Sequence, residues 1–314
     1  LLDFSKFAKV QKNLENTRKS IISLFNLILM IICKTVSNIQ SVIKKRGEFG
    51  KKIGFVPTMG ALHQGHVSLI NKSKQETDFT VCSIFVNPTQ FNDPNDFEKY
   101  PITIDQDILK LEKAGCDVLF LPSVNEIYPN GIKPNTFYQL GFLETVLEGS
   151  FRPNHFQGVC QVVERLLRIV EPNILFLGQK DYQQCMVINQ LIEIMGWQNK
   201  LQLHIADTLR EPSGLAMSSR NMRLSAEEKE NAVSIYQSLR YLKDNFSNVN
   251  FSELIITVKE KLTKVGFSKI DYVVICNAKN LEEQTEFKQN VKFVALIAAF
   301  APNGVRLIDN MLLN

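Results

Sequence analysis

From residue 53 onward, short continuous runs of β-branched and aromatic residues alternate with longer stretches of helical period, and no other feature restricts the fold of this chain as tightly. The runs cover residues 53–56, 81–86, 117–121, 174–177 and 201–206. They are continuous rather than alternating, as expected of parallel strands covered by helices on both faces. The clearest helical stretch between them sets Val159, Val162, Val163, Leu166, Leu167 and Val170 on one stripe, and Pro172 stops it. Together these predict an α/β, doubly wound parallel sheet of Rossmann-like type over residues 30–208.

The rhythm changes near residue 209. Ser225 and Glu228 form a capping box ahead of a helix carrying Ala232, Val233, Tyr236 and Leu239. A second amphipathic helix with Leu254, Ile255, Val258 and Leu262 ends near Gly266. Strands follow at 272–276 and 293–300, the latter turning at Asn303-Gly304 into 305–308. Residues 209–314 are therefore expected to form a smaller α+β domain, and 314 residues leave room for two domains.

The first stretch has a different character. Arg18 and Lys19 precede an apolar run over residues 21–33 that resembles the charged region and core of a secretory leader. The run is too short for the roughly 20 apolar residues a membrane span requires, and no small-residue cleavage site follows it. Met30 is read as the natural start, with residues 1–29 an upstream extension, tag or leader. No membrane partner is expected.

The net charge of +4 comes from nearly balanced acids and bases with no long basic run, so nucleic acid is not an expected partner. Six scattered cysteines without a CxxC pair suggest neither a disulfide framework nor a zinc cage, which fits a reducing cytoplasmic setting.

Ligands of open α/β sheets bind beyond the carboxyl ends of the strands, so the segments leaving each run carry the chemistry. The first run exits into PTMGALHQGH (57–66), the second into NPTQF (87–91) and the fourth into GQKDYQQ (178–184). With Ser218-Ser219-Arg220 folded over from beyond the fifth run, these would converge on one crevice. His63 and His66 stand three apart at a predicted helix start, beside free backbone N–H groups and the positive end of the helix dipole. That is a phosphate site, where imidazoles donate to oxygens gaining charge as pyrophosphate leaves, and Gly65 lets a nucleotide approach the backbone. The plainer alternative is a pair of surface histidines.

His155 lies in another segment assigned to the site. Lys180 offers a point charge, Arg220 a planar fork for two oxygens, and Ser218 and Ser219 short hydroxyl donors. Asp181 either accepts from ribose hydroxyls or caps the following helix. Gln90 and Gln184 are neutral amides suited to a substrate carrying a hydroxyl and a carboxylate. Asn87 either holds its loop or touches substrate.

In this order, PTMGALHQGH, IFVNPTQF, LEGSFRP-x-HF-x-GV, FLGQKDYQQ and GLAMSSRN resemble the pantothenate synthetase (pantoate-beta-alanine ligase) family of the HxGH nucleotidyltransferase superfamily. The resemblance runs from about Met30 through residues 306–311. It implies a ligase for which ATP and pantoate give pantoyl adenylate and pyrophosphate, after which beta-alanine gives pantothenate and AMP. By position it implies ATP contacts for His63, His66, Lys180, Ser218, Ser219 and Arg220, and nucleoside contacts for Met59, Gly178, Asp181 and Met217. It assigns Gln90 and Gln184 to pantoate, and places Asn87, Glu148 and Arg152 on motif positions of less defined role. It also implies magnesium carried by ATP rather than by a protein cage, and a homodimer formed through the larger domain. Separately, Ser218, Ser219 and Arg220 lie just past the domain boundary, where a hinge would let the smaller domain close as a lid.

Asn154 stands where the family usually has glycine, Ile102 where arginine is common and Ser213 where aspartate is frequent, yet none of the three removes a group the chemistry requires. Two other readings stay open at this stage. One is a sister HxGH adenylyltransferase acting on a phosphate ester, which would need a more positive acceptor pocket. The other is a catalytically silent nucleotide-binding module, which would be expected to have lost a histidine, Lys180 or Arg220.

Overall fold

The computed structural model describes residues 30–47, 50–91, 97–133 and 136–314, so the extension read over residues 1–29 lies outside the described residues. Six strands form one parallel sheet: β1 (Ile31–Cys33), β2 (Ile53–Thr58), β3 (Phe79–Ile84), β4 (Val118–Phe120), β5 (Ile174–Gly178) and β6 (Gln202–Ala206). Their order is β1-β4-β3-β2-β5-β6. The chain runs outward from β2 through β3 to β4 and then crosses back to lay β5 on the other side of β2. The order therefore reverses at β2, and the crevice for a ligand opens between the carboxyl ends of β2 and β5.

Five longer helices cover the two faces: α1 (Val36–Gly47), α2 (Gln64–Glu76), α3 (Ile104–Lys113), α4 (His155–Val170) and α5 (Tyr182–Ile194). Ile39 of α1 and the apolar stripes of α4 and α5 pack on Phe55, Val81, Phe120 and Leu175. Leu69 and Ile70 of α2 and Leu111 of α3 pack on Val56, Cys82, Leu119 and Phe176. Neighbouring strand residues thus serve opposite cores, which is why the runs read as continuous. The stripe of α4 ends at Glu171, in left-handed geometry just before Pro172.

Strand β1 is not among the predicted runs. It pairs with β4 at the sheet edge, burying Cys33 while Ile31 and Ile32 stay 37% and 41% exposed. A three-residue edge strand at the end of a longer apolar run carries no periodicity that would separate it.

The C-terminal domain contains α6 (Ala226–Asn245), α7 (Phe251–Lys264) and the antiparallel sheet β7 (Lys269–Asn277), β8 (Phe293–Phe300), β9 (Arg306–Leu312), in the order β7-β8-β9. Helix α6 starts with the expected capping box between Ser225 and Glu228. The sheet is covered on both sides. Phe293, Ala295, Ile297 and Ala299 of β8 face α6 and α7, while Val294, Leu296 and Ala298 face Leu143, Leu147, Tyr182 and Met186 of the first domain. Each fully buried Leu, Ile or Phe contributes about 1.5–3 kcal/mol, so the second face docks the small domain onto the large one.

Candidate active site

The loop after β2 is held before any ligand arrives. Gly60 (φ +82) and Ala61 (φ +48) turn the chain through the left-handed region, directing the N–H groups of Ala61 and Leu62 onto Asp107 of α3, each at 2.8 Å. Asp107 is fully buried and also accepts from Thr103 Oγ1, while Lys110 Nζ reaches the Leu62 carbonyl at 2.6 Å. Sequence reasoning passed over Asp107, although a carboxylate on the apolar stripe of α3, four residues before Leu111, was the available signal.

Held in this way, His63 becomes the N-cap of α2 and closes a capping box made of imidazoles. His63 Nδ1 accepts from Gly65 N–H at 3.1 Å, and His66 Nδ1 accepts from His63 N–H at 3.3 Å. With both Nδ1 atoms used as acceptors, each ring carries its hydrogen on Nε2 and is neutral. Burial, followed by the charge of Lys180, pushes His63 down to about 4; burial, followed by His63 and Lys180, pushes His66 well below the usual imidazole range. The ring centroids are 4.0 Å apart, and a Cβ on Gly65 would lie 2.9 Å from the His63 ring. Glycine at 65 is therefore required first by imidazole packing.

Strand β5 ends at Gly178, where a Cβ would meet open space, and a single 3-10 turn (Gln179–Asp181) presents Lys180. Asp181 precedes α5 but makes no side-chain cap; its carboxylate lies 3.6 Å from Lys180 Nζ. Across the crevice, a loop paired between Arg210 and Ala216 returns through Met217, whose N–H donates to the Leu209 carbonyl, into Ser218, Ser219 and Arg220. Ser218 Oγ accepts from Arg220 N–H and starts the 3-10 turn Ser219–Arg223.

At the other end of the cavity, Asn87 is an internal tie. Its amide donates to Gln90 Oε1 and the Gly158 carbonyl, and its Oδ1 accepts from Tyr128 OH at 2.7 Å and Thr89 Oγ1 at 3.1 Å. At 1% exposure it holds the loop, one of the two roles the sequence offered, and it also borders the cavity. Gln90 is consequently oriented, with Nε2 against the Met59 sulfur, a weak acceptor that a ligand oxygen would outcompete. Gly158 lets α4 lie directly on this loop, because a Cβ there would fall 2.2 Å from the Thr89 carbonyl oxygen.

His155 Nδ1 donates to the Gln90 carbonyl at 2.7 Å, and its Nε2 faces Arg152 at 3.1 Å. Burial and then Arg152 push this imidazole down to about 3, which keeps it neutral. Asn154 before it adopts φ 64, ψ −1, so the asparagine occupies left-handed geometry that glycine takes more freely. Gln184 and Gln183 both border the cavity, and the Gln183 amide is committed to Leu143, Val146 and Glu148.

Glu148 joins the two domains. Arg306 of β9 grips it with two nitrogens at 2.8 and 2.7 Å, and Tyr272 OH donates at 2.6 Å. Burial alone would raise its carboxyl, but hydrogen bonds and charge from Arg306 hold it down at about 2. These partners make it a domain fastener.

Met59, His63, His66, Asn87, Gln90, Glu148, Arg152, His155, Gly178, Lys180, Asp181, Gln184, Met217, Ser218, Ser219 and Arg220 all line one cavity over the β2–β5 crevice. Tyr128, Tyr272, Arg306, Asp309 and Asn310, which sequence reasoning did not assign, support or border it. Such a cavity can hold a nucleotide triphosphate at its basic end and a small hydroxy acid at its amide end.

Comparison with known proteins places this arrangement among relatives. The sequence profile of the family described as Pantoate-beta-alanine ligase matches residues 31–312. The pantothenate synthetase of Cytophaga hutchinsonii is 42% identical over 286 residues, covering 90% of this chain and 99% of the relative. Among solved structures, the pantothenate synthetase of Thermus thermophilus superposes with a TM-score of 0.83 at 34% identity, covering 90% of this chain and 99% of the other. The pantoate-beta-alanine ligase of Francisella tularensis, complexed with beta-gamma ATP and beta-alanine, has a TM-score of 0.72 at 41% identity, covering 90% and 98%.

Proposed function

The chain belongs to the pantoate-beta-alanine ligase family, and from that membership we propose how its cavity divides the labour of the reaction. The enzyme condenses pantoate with beta-alanine at the expense of ATP. A pantoate carboxylate oxygen attacks the α-phosphorus as the bond to pyrophosphate breaks. The amine of beta-alanine then attacks the acyl carbon of pantoyl adenylate, and the C–O bond to AMP breaks with loss of an amine proton, leaving pantothenate.

The observation that carries the assignment is the neutral imidazole pair, whose Nε2–H groups are the only ring donors left by the capping box. His63 and His66 donate to phosphate oxygens as charge develops on departing pyrophosphate, and neutrality keeps both as donors near pH 7 without protonation. Lys180 and Arg220 supply fixed positive charge there, with Ser218 and Ser219 as hydroxyl donors. Met59, Gly178, Asp181 and Met217 border the nucleoside. Gln90 and Gln184 receive the hydroxyl and carboxylate of pantoate, with Arg152 beside them.

Among the described residues no group of three or more His, Cys, Asp or Glu side chains is arranged to hold a metal ion. With Asp181 the carboxylate beside Lys180, the donor set suits magnesium carried on phosphate oxygens, where it would neutralise phosphate charge. A domain boundary near residue 209, with 30–208 binding nucleotide and pantoate and 209–314 as the lid, belongs to the same reading. So do a homodimer and a cytoplasmic setting; sedimentation of the purified protein tests the dimer.

Pyrophosphate and AMP release from ATP with magnesium, pantoate and then beta-alanine tests the function. Pyrophosphate with pantoate alone and steady AMP after beta-alanine is added are expected. No response to pantoate, with turnover of a phosphorylated acceptor, would transfer the activity to a sister adenylyltransferase. The neutral amides of Gln90 and Gln184 speak against that outcome.

A further inference from the structure

Asp309 and Asn310 are adjacent on β9, at 5% and 2% exposure, and each fastens a different phosphate-binding segment. Asn310 Nδ2 donates to two successive carbonyls, Gln179 at 3.0 Å and Lys180 at 2.8 Å, while its Oδ1 accepts from Gln179 Nε2 at 3.2 Å. Both amide hydrogens are committed, so this side chain fixes the planes of the peptides on either side of Lys180. Asp309 accepts two nitrogens of Arg210, at 2.6 and 3.1 Å, and the N–H of Asn310 at 2.8 Å.

Arg210 stands at the root of the loop that carries Ser218, Ser219 and Arg220. It pairs with Ala216 in an antiparallel bridge, donates to the Gly214 carbonyl and lies 4.5 Å over the Tyr236 ring. Gly214 (φ +97) leaves room for that ring, since a Cβ there would fall 2.3 Å from Tyr236. Two adjacent residues of the small sheet thus reach the Lys180 turn on one side and the Ser218–Arg220 loop on the other.

Resting on the phosphate roles given above, we propose that Asp309 and Asn310 are positioning residues. With the lid in the position seen here, they hold Lys180 and the Ser218-Ser219-Arg220 segment side by side, so that the two cationic groups meet the triphosphate as a unit. Neither side chain touches the reacting atoms. Each acts through the segment it fastens, and the rigidity of β9 between them links the two.

The test is a double-mutant cycle read by pyrophosphate release with pantoate and no beta-alanine. Asn310→Asp replaces the doubly donating Nδ2 with a carboxylate oxygen facing two carbonyls. Asn310→Asp is expected to lower kcat/KM for ATP at least about tenfold, with KM for pantoate within about twofold of wild type. In a Lys180→Ala background the same change is expected to add less than about twofold, because its effect passes through Lys180. Asp309→Asn is expected to behave likewise against Arg220→Ala. Gln179→Met removes the return hydrogen bond from a partly exposed position, so it gives a smaller loss of the same kind in a protein whose fold is kept.

Multiplicative effects in the cycle, or equal losses toward ATP and pantoate, would overturn the proposal while wild-type pyrophosphate release still supports the ligase. Absence of pantoate-dependent pyrophosphate release in wild type would instead overturn the reading on which it rests.

Discussion

His66 Nδ1 accepts the backbone N–H of His63 at 3.3 Å, while His63 turns its own Nδ1 onto the N–H of Gly65 at 3.1 Å. The cap that starts α2 therefore also selects the tautomer of both rings, and burial keeps the pair uncharged. In the free enzyme, kcat/KM for ATP is expected to pass through pH 6.5 without an imidazole inflexion, the acid limb lying near the His63 value of about 4. Because these imidazoles are depressed on folding, the unfolded chain binds more protons between pH 6.5 and 4. Stability rises with pH across that window and is lost as pH falls through it. Thermal midpoints against pH, with NMR of the ring protons, check both; an inflexion near 6.5 assigned to either ring would refute the tautomer argument.

His66→Ala removes one of the donors proposed for the departing phosphate and half of the cap. Pantoate-dependent pyrophosphate release is expected to slow about 10²–10³-fold, while stability falls by only about 1 kcal/mol. Single-turnover pyrophosphate release and chemical denaturation separate the two effects. Unchanged turnover would remove His66 from the chemistry.

Asp107 receives two backbone N–H groups from the loop that leads into His63. Asp107→Asn sets an amide NH₂ against one of them, an unpaired buried donor costing about 1–3 kcal/mol. Slower pyrophosphate release is expected alongside the lower denaturation midpoint, since the loop carries both imidazoles. Full activity in the variant would show that the loop is set elsewhere.

Glu148 is held at about 2, against 4.5 ordinarily, by Arg306. A depressed carboxylate contributes stability that is present above pH 4.5 and lost as pH falls toward 2, about 3 kcal/mol in all. Glu148→Gln should unfold more easily at pH 7, by about 3–5 kcal/mol because Arg306 loses this partner. It should also show a flatter pH dependence than wild type between 4.5 and 2. Urea titrations of both proteins at several pH values measure this, and parallel curves would contradict it.

Asn154 holds φ 64 at the N-terminus of α4. Asn154→Gly places there a residue without a Cβ and is expected to stabilise the fold by about 0.5 kcal/mol, leaving turnover unchanged. A lowered thermal midpoint would mean that the asparagine side chain matters more than its backbone.

Much of this was legible because continuous apolar runs and their polar exits are local signals. Residues 174–177 became Ile174–Gly178, 201–206 became Gln202–Ala206, and residues 293–300 became β8 without change. Strand β1 was lost because three residues at an edge have no period of their own. The sequence left the role of Asn87 open, and gave no sign of what Gln183 holds. The amides of Asn87 and Gln183 are tied up by partners such as Tyr128, Gly158, Leu143 and Val146, far away along the chain. The roles of Arg306, Asp309 and Asn310 were hidden for the same reason, since each acts on a segment about a hundred or more residues earlier.

The contact between Gly158 and the Thr89 carbonyl bears on how this enzyme can be redesigned. Helix α4 and the loop carrying Gln90 meet main chain to main chain, so no side-chain exchange at that seam can widen the end proposed for the acid. Engineering toward bulkier acids would have to trim residues projecting from α4 farther along, such as Val159 or Val163, and would inherit a fixed aperture at Gln90.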